Sequence, residues 1–208
     1  MQIKTITVGY MGVNCYLLVD ETEKVGAIID PGCADEELVR TITEEFSGVN
    51  FSSIFLTHGH FDHIDGVKAI QELTGAKVLI HSGDGEMLGD NRKNLADIFG
   101  CPCTNCTYDR LLGAEEISLG GQKIQVLPTP GHSPGSVCYL WEGVMFSGDT
   151  LFANSIGRTD MPGASVQEMI ESLRRLKNLP QDYIVYPGHG EATTLAREKA
   201  HNPWLAQV

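Results

Sequence analysis

Short apolar runs separated by turn residues open the chain. Ile3 to Val8, Cys15 to Val19 and Val25 to Ile29 read as three strands, with Gly9-Tyr10-Met11-Gly12 and Asp20-Glu21-Thr22-Glu23-Lys24 as the turns between them. Asp30-Pro31-Gly32 stops the third strand sharply. Ala34 to Phe46 has helical periodicity, with Leu38, Ile42 and Phe46 on its apolar side. Phe51 to Leu56 reads as a buried strand. A second amphipathic helix follows, with Val67, Ile70 and Leu73 inward and Lys68 and Glu72 outward, and then a strand from Lys77 to Ile80. Between Ser82 and Gly100 the pattern is weak and predicts one or two short helices.

The second half repeats this style. Ile117 to Leu119, Gly121 to Leu127, Ser136 to Trp141 and Val144 to Ser147 read as strands. Ser165 to Leu176 is a helix, opened by Ser165 with Glu168 three residues on, a capping box. Tyr183 to Tyr186 is a last strand, and Thr193 to Lys199 a short final helix. A strand meander passing into helix–strand alternation, twice over, predicts two sheets packed together with helices outside. No linker or low-complexity segment interrupts the chain, so residues 1–208 are expected to form a single domain.

Composition narrows the field. The 208 residues are 42% hydrophobic and 20% charged, as in soluble globular proteins. The formal net charge of −12, with scattered Lys and Arg, argues against a nucleic-acid partner. No apolar run approaches the ~20 residues of a membrane span, and no signal-peptide pattern precedes the first strand. A cytoplasmic location is expected, so the six cysteines are not expected to form a disulfide framework. Cys15 and Cys138 lie inside strand-like runs and read as small buried apolar residues.

The chemistry concentrates in Thr57-His58-Gly59-His60-Phe61-Asp62-His63. Neither a helix nor a continuing strand turns all four polar side chains one way. The segment therefore reads as a strand-to-helix loop whose curled backbone aims them inward. Converging imidazoles and carboxylates suit divalent metals. Matching residues recur after later strands: His132 in Thr129-Pro130-Gly131-His132, Asp149 in Ser147-Gly148-Asp149-Thr150, and His189 in Tyr186-Pro187-Gly188-His189-Gly190. Five of the seven histidines thus sit in turns just beyond strand-like runs. His81 reads as structural or supporting, and His201 as outside the site.

This ordered set, H-x-H-x-D-H followed by His, Asp and His, resembles the metallo-β-lactamase superfamily. The likeness runs from Asn14-Cys15-Tyr16-Leu17 and Ile29-Asp30-Pro31-Gly32 to Pro187-Gly188-His189-Gly190. It implies an α+β fold, a four-layer αββα sandwich. It also implies two metals: one on His58, His60 and His132, the other on Asp62, His63 and His189, with Asp149 and a water or hydroxide bridging them. Zinc is the first expectation, with iron or manganese as alternatives. Two metals ~3.5–4 Å apart can hold a hydroxide ready at neutral pH. Two dications against Asp62, Asp149 and hydroxide leave a net charge of +1, suited to an oxyanion forming on an attacked carbonyl. Asp62 could also accept a hydrogen bond from the nucleophilic water. An aspartate at 149, where β-lactamases of the superfamily place a cysteine, argues against antibiotic hydrolysis.

Asp149-Thr150-Leu151-Phe152 followed by Ile156-Gly157-Arg158-Thr159-Asp160 resembles short bacterial glyoxalase II-like hydrolases. Their substrate class is the thioester, as in S-lactoylglutathione. Full-length hydroxyacylglutathione hydrolases carry a further helical region that contacts glutathione, whereas this chain stops soon after Asn202-Pro203-Trp204-Leu205. The expectation is a metal-dependent hydrolase of a small thioester or ester. The alternative is a persulfide dioxygenase with one iron on His58, His132 and Asp149. Arg158 and Asp160 read first as a structural loop pair, with an ion pair supporting the site or a contact to an anionic substrate as the alternatives. Cys101-Pro102-Cys103-Thr104-Asn105-Cys106 falls outside the family pattern; it reads as a reduced loop, with redox or soft-metal roles as alternatives. Asp65 is a further departure that adds negative charge near the site.

Overall fold

Every strand predicted above is present in the computed structural model, which describes residues 1–101 and 103–208. The first sheet takes the order β1 (Gln2–Val8), β2 (Val13–Asp20), β3 (Val25–Ile29), β4 (Asn50–Phe55), β5 (Lys77–His81) and β6 (Arg110–Leu112). The first three strands are antiparallel neighbours, and β3 to β6 run parallel. The second sheet contains β7 (Glu116–Leu119), β8 (Gln122–Pro128), β9 (Val137–Trp141), β10 (Val144–Gly148), β13 (Ile184–Pro187) and β14 (Thr193–Thr194). Its order is β14-β13-β10-β9-β8-β7. A two-stranded ribbon, β11 (Leu151–Phe152) and β12 (Ser155–Ile156), follows β10.

Strand periodicity explains the four layers. In β2, Tyr16 and Leu18 join Ala27, Ile29 and Phe55 in a core shared with Val126, Tyr139 and Phe146 of the second sheet. Cys15, Leu17 and Val19 point the other way, into a core with Leu38, Ile64 and Ile70. In β9, Cys138 and Leu140 turn from the sheet interface toward Met169, Leu173 and Leu176. Strands buried on both faces read as continuous apolar runs, which is how they appear in the sequence. The result is the expected αββα sandwich. Helices α1 (Glu36–Arg40), α2 (Phe61–Ile64), α3 (Val67–Thr74) and α4 (Ala96–Phe99) are on the first-sheet side. Helices α5 (Val166–Lys177) and α6 (Leu195–His201) cover the second sheet. Asp35 caps α1, and Ser165 caps α5 by accepting from the Glu168 amide.

Three expectations need correction. The Ala34–Phe46 helix is α-helical only from Glu36 to Arg40 and continues as a π-helical turn over Thr41–Glu45. Leu73, expected inside, is 43% exposed: Val67 and Ile70 are the buried residues of α3, which ends one residue after Leu73. Asp62 and His63 lie within the short helix α2, so only His58 and His60 are in the loop itself. No helix among the described residues is long and apolar enough to cross a membrane.

The cysteine segment folds inward. Cys103 and Cys106 are 8% exposed and belong to the first helical core. The Thr104 amide donates to Asp65 Oδ1 at 2.7 Å, so Asp65 ties this loop to the end of α2. Burial and the nearby Asp65 carboxylate push the Cys103 thiol up to about 12 and the Cys106 thiol to about 11. Such thiols are poor nucleophiles, and both side chains pack in the first core. All six cysteines are free, and Cys15 and Cys138 are fully buried as expected. Pro102 lies outside the described residues.

Candidate metal centre

The predicted residues converge at one edge of the sandwich, beyond the C-terminal ends of β4, β8, β10 and β13. Parallel pairing of β10 with β13 sets Asp149 and His189 side by side there. The edge is closed across the two sheets: the Asn14 amide donates to the Gly188 carbonyl at 2.8 Å, and Val13 bridges His189. The Asn14 side chain donates to the carbonyls of Pro187 and Gly190 at 3.1 and 2.8 Å. The His132 loop rests on α5, where buried Ser172 donates to the Pro130 carbonyl at 2.7 Å.

Two groups of three side chains face one another. His58, His60 and His132 have ligand atoms within 4.8 Å of each other, as do Asp62, His63 and His189. Asp149 lies between the groups. Its Oδ1 is 3.4 Å from His63 Nε2, and its Oδ2 is 3.5 Å from His132 Nε2 and 3.6 Å from His189 Nε2. Asp62 Oδ2 lies 3.3 Å from His189 Nε2. All seven predicted residues are therefore in one constellation. His81 stands apart at the end of β5, where its Nδ1 accepts from the Gly83 amide, and the structure does not bring His201 to the site.

The donor set fits a divalent ion. Nε2 of His58 and of His60 and Oδ1 of Asp149 are buried without a hydrogen-bond partner among the described residues. Buried polar atoms left in that state are costly. Neutral imidazoles and a carboxylate aimed at one point are the ligands that zinc, iron and manganese accept. Hydrogen bonds at the rear fix the ring orientation. His58 Nδ1 lies 3.1 Å from Thr57 Oγ1, His63 Nδ1 2.9 Å from Asp30 Oδ2, and His132 Nδ1 2.9 Å from the Arg158 carbonyl. Each of these partners is placed to accept a hydrogen bond from Nδ1, which turns Nε2 of the three rings toward the site; His60 differs, with its Nδ1 2.9 Å from His132 Nε2.

The electrostatics divide the two groups. Burial and the surrounding imidazoles hold His58 well below the ordinary histidine value, and burial with His132 pulls His60 down to about 3. Both are ready ligands. Burial also acts on His63, but the carboxylates of Asp149, Asp62 and Asp30 outweigh it and raise it well above its usual value. His189 is raised too: burial opposes, and the Asp62 hydrogen bond and the Asp149 charge prevail. Burial pushes Asp62 and Asp149 up, yet the neighbouring histidines, led by His63, hold both carboxyls below the usual range.

Two supporting residues escaped the sequence reading. Asp30 accepts from the Thr57 amide at 2.8 Å and the Thr57 hydroxyl at 2.6 Å as well as from His63, all while adopting a left-handed φ of 50°. Asp84 is fully buried and accepts from the Gly59 amide at 2.9 Å, the Gly135 amide at 2.6 Å and the Ser133 hydroxyl at 2.6 Å. It thus joins the His58–His60 loop to the His132 loop. An aspartate followed by Pro-Gly was a visible signal for Asp30. Asp84 lies in the weakly patterned stretch and gave none. Arg158 contributes through its backbone carbonyl, while its side chain pairs with Asp160 through two 2.9 Å bonds, the loop pair expected.

The family model described as the Metallo-beta-lactamase superfamily matches residues 8–189. The chain is 35% identical over 211 residues to a protein of Haemophilus influenzae named hydroxyacylglutathione hydrolase GloC, covering 99% of this chain and 98% of that one. It is similar to a solved structure described as the BLEG-1 B3 metallo-beta-lactamase, with a TM-score of 0.92, 38% identity and 98% and 99% of the two chains covered. It is also similar to TTHA1623 in a di-iron-bound form, with a TM-score of 0.85, 35% identity and 97% and 99% coverage.

Proposed function

The chain belongs to the metallo-beta-lactamase superfamily, whose fold implies divalent metal binding, and from that premise we propose that it is a dinuclear metal-dependent thioester hydrolase, with S-lactoylglutathione as the reference substrate. His58, His60 and His132 would hold one ion, Asp62, His63 and His189 the other, and Asp149 both. The observation that supports this reading is the placing of Asp149, whose Oδ2 lies 3.5 Å from His132 of one group and 3.6 Å from His189 of the other, with Oδ1 3.4 Å from His63. Zinc is the first candidate; the di-iron form of TTHA1623 supports iron as a second. A cytoplasmic setting, with residues 1–208 as one domain, belongs to the same proposal.

Two ions held there would supply a water ionised at neutral pH and a positive field for the oxyanion. The protein's own groups do the rest. Asp62, kept ionised by His63 and His189, accepts a hydrogen bond from the attacking water. The Nδ1 partners Thr57, Asp30 and Arg158 keep the imidazoles from turning. The hydroxide oxygen joins the acyl carbon, the C–S bond breaks with its electron pair on sulfur, and the thiolate takes back from solvent the proton released when the water ionised. The products are a carboxylic acid and a thiol.

The test is hydrolysis of S-lactoylglutathione by protein of measured metal content, run beside oxygen uptake with glutathione persulfide and cleavage of a chromogenic cephalosporin. Thioester cleavage with two metals per chain, lost in Asp149→Ala, is the expected result. Oxygen uptake with one iron would favour the dioxygenase instead. The likeness to a protein described as a B3 metallo-beta-lactamase makes the cephalosporin arm necessary, and its cleavage alone would overturn the thioester assignment.

A further inference from the structure

Carbon dominates the walls of the cavity that opens onto the two ligand groups. The cavity holds about 320 Å³. Met11 enters it from the β1–β2 turn, Phe61 and Phe99 from α2 and α4, Phe152 from β11, and Ile156 and Met161 from beyond. The Phe61 and Phe99 rings pair with centroids 5.4 Å apart, and Phe152 stands edge-on to the His189 ring at 6.4 Å. Aromatic carbon therefore reaches the metal-facing side chains. Met11 is 40% exposed and Phe99 42%. A bound apolar group would take that area out of water, with a gain proportional to the area covered.

Charge points the same way. The cavity's carboxylates are Asp62 and Asp149, and its lining cation is Arg158, already engaged twice by Asp160. An adjoining recess of about 310 Å³ shares Met11, Phe61 and Asp62, adds Asp65, and is lined by no Lys or Arg among the described residues. An anionic carrier is commonly held by guanidinium or ammonium groups, and among the described residues Arg158, facing Asp160, is the single such group lining either space. We propose, resting on the hydrolase reading, that the site selects thioesters of an apolar acyl chain on an uncharged thiol. The acyl chain lies on Met11, Phe99 and Phe152. S-lactoylglutathione, with a hydroxylated acyl group and an anionic carrier, is then cleaved but is not the preferred member of the class.

The experiment compares acetyl, butyryl and hexanoyl thioesters of N-acetylcysteamine with those of glutathione on metal-loaded protein. Calorimetry with the matching non-hydrolysable amides gives a second readout. The expected result is a rise in kcat/KM, and a parallel fall in amide Kd, of about fourfold per methylene, the gain for moving one CH₂ out of water. Met11→Ala and Phe99→Ala reduce that gain while metal content is unchanged. Turnover that is flat or falls with chain length, a tenfold or greater preference for the glutathione series, or an unaltered gain in both variants overturns the substrate class and leaves the hydrolase standing. Silence toward every thioester removes the hydrolase reading, and the inference with it.

Discussion

A methyl group built on Gly188 would lie 2.2 Å from Oδ1 of Asp149 and 2.7 Å from Cε1 of His63. The glycine in Pro187-Gly188-His189 therefore leaves the space in which Asp149 turns toward both ligand groups. Its amide also donates to the Gly148 carbonyl at 2.8 Å, which fixes that spacing between the two strand ends. Gly188→Ala is expected to keep the fold at a cost of about 1–3 kcal/mol from overpacking. Displacing Asp149 should lower kcat/KM about 100-fold, the effect of a misplacement near 1 Å. Kinetics measured beside Tm and metal content check this. Activity within threefold of the parent would mean that Asp149 need not stand where it does.

Asp30→Asn addresses the support behind His63. Asparagine tolerates the left-handed φ of 50°, so the backbone is expected to hold. The carboxylate that accepts from His63 Nδ1 is lost. Partners of this kind are worth about 10- to 100-fold in metal affinity or activity. Competition with a chelator, following one ion at a time, should show weaker binding on the Asp62, His63 and His189 side and little change on the other.

Asp84→Ala removes the acceptor shared by Gly59, Gly135 and Ser133. Each buried donor left unsatisfied costs about 1–3 kcal/mol, so a loss of several kcal/mol is expected in urea unfolding. Asp84→Asn should recover part of it, because its amide oxygen still accepts. If the alanine variant matches the parent in midpoint and metal affinity, the two loops are held by other contacts.

The acid sensitivity of the two ligand groups should differ. Metal and proton compete for the same lone pairs. In the metal-free protein His63 and His189 are raised above the ordinary value, whereas His60 is lowered to about 3. Protons therefore bind the Asp62, His63 and His189 group at higher pH. As pH falls below 7, the ion on that side should leave first, and the His58, His60 and His132 ion should persist to lower pH. Metal-content titration monitored by equilibrium dialysis checks the order; simultaneous loss, or loss in the reverse order, contradicts it.

By itself the sequence determined the strands, the layers and the identity of the seven converging side chains. Strand burial is written in local periodicity: Tyr16 and Leu18 alternate with Cys15 and Leu17. The positions of the proposed ligands are written in turn chemistry: Pro130-Gly131, Gly148 and Pro187-Gly188 stop strands just before His132, Asp149 and His189. Local signals misjudged the ends of short elements. Leu73 has the right spacing for burial but faces water, because α3 is too short to cover more of the sheet. Tertiary structure alone decided what stands behind the ligands. Asp84 reaches Gly135 across 51 residues, and Asp30 reaches His63 across 33. A hydrogen bond between segments that distant leaves no periodic trace, since its geometry exists only once the sheets have closed. The same holds for the cysteine segment: composition left three thiols open to redox or metal chemistry, and the fold alone places Cys103 and Cys106 in the first core beside Asp65.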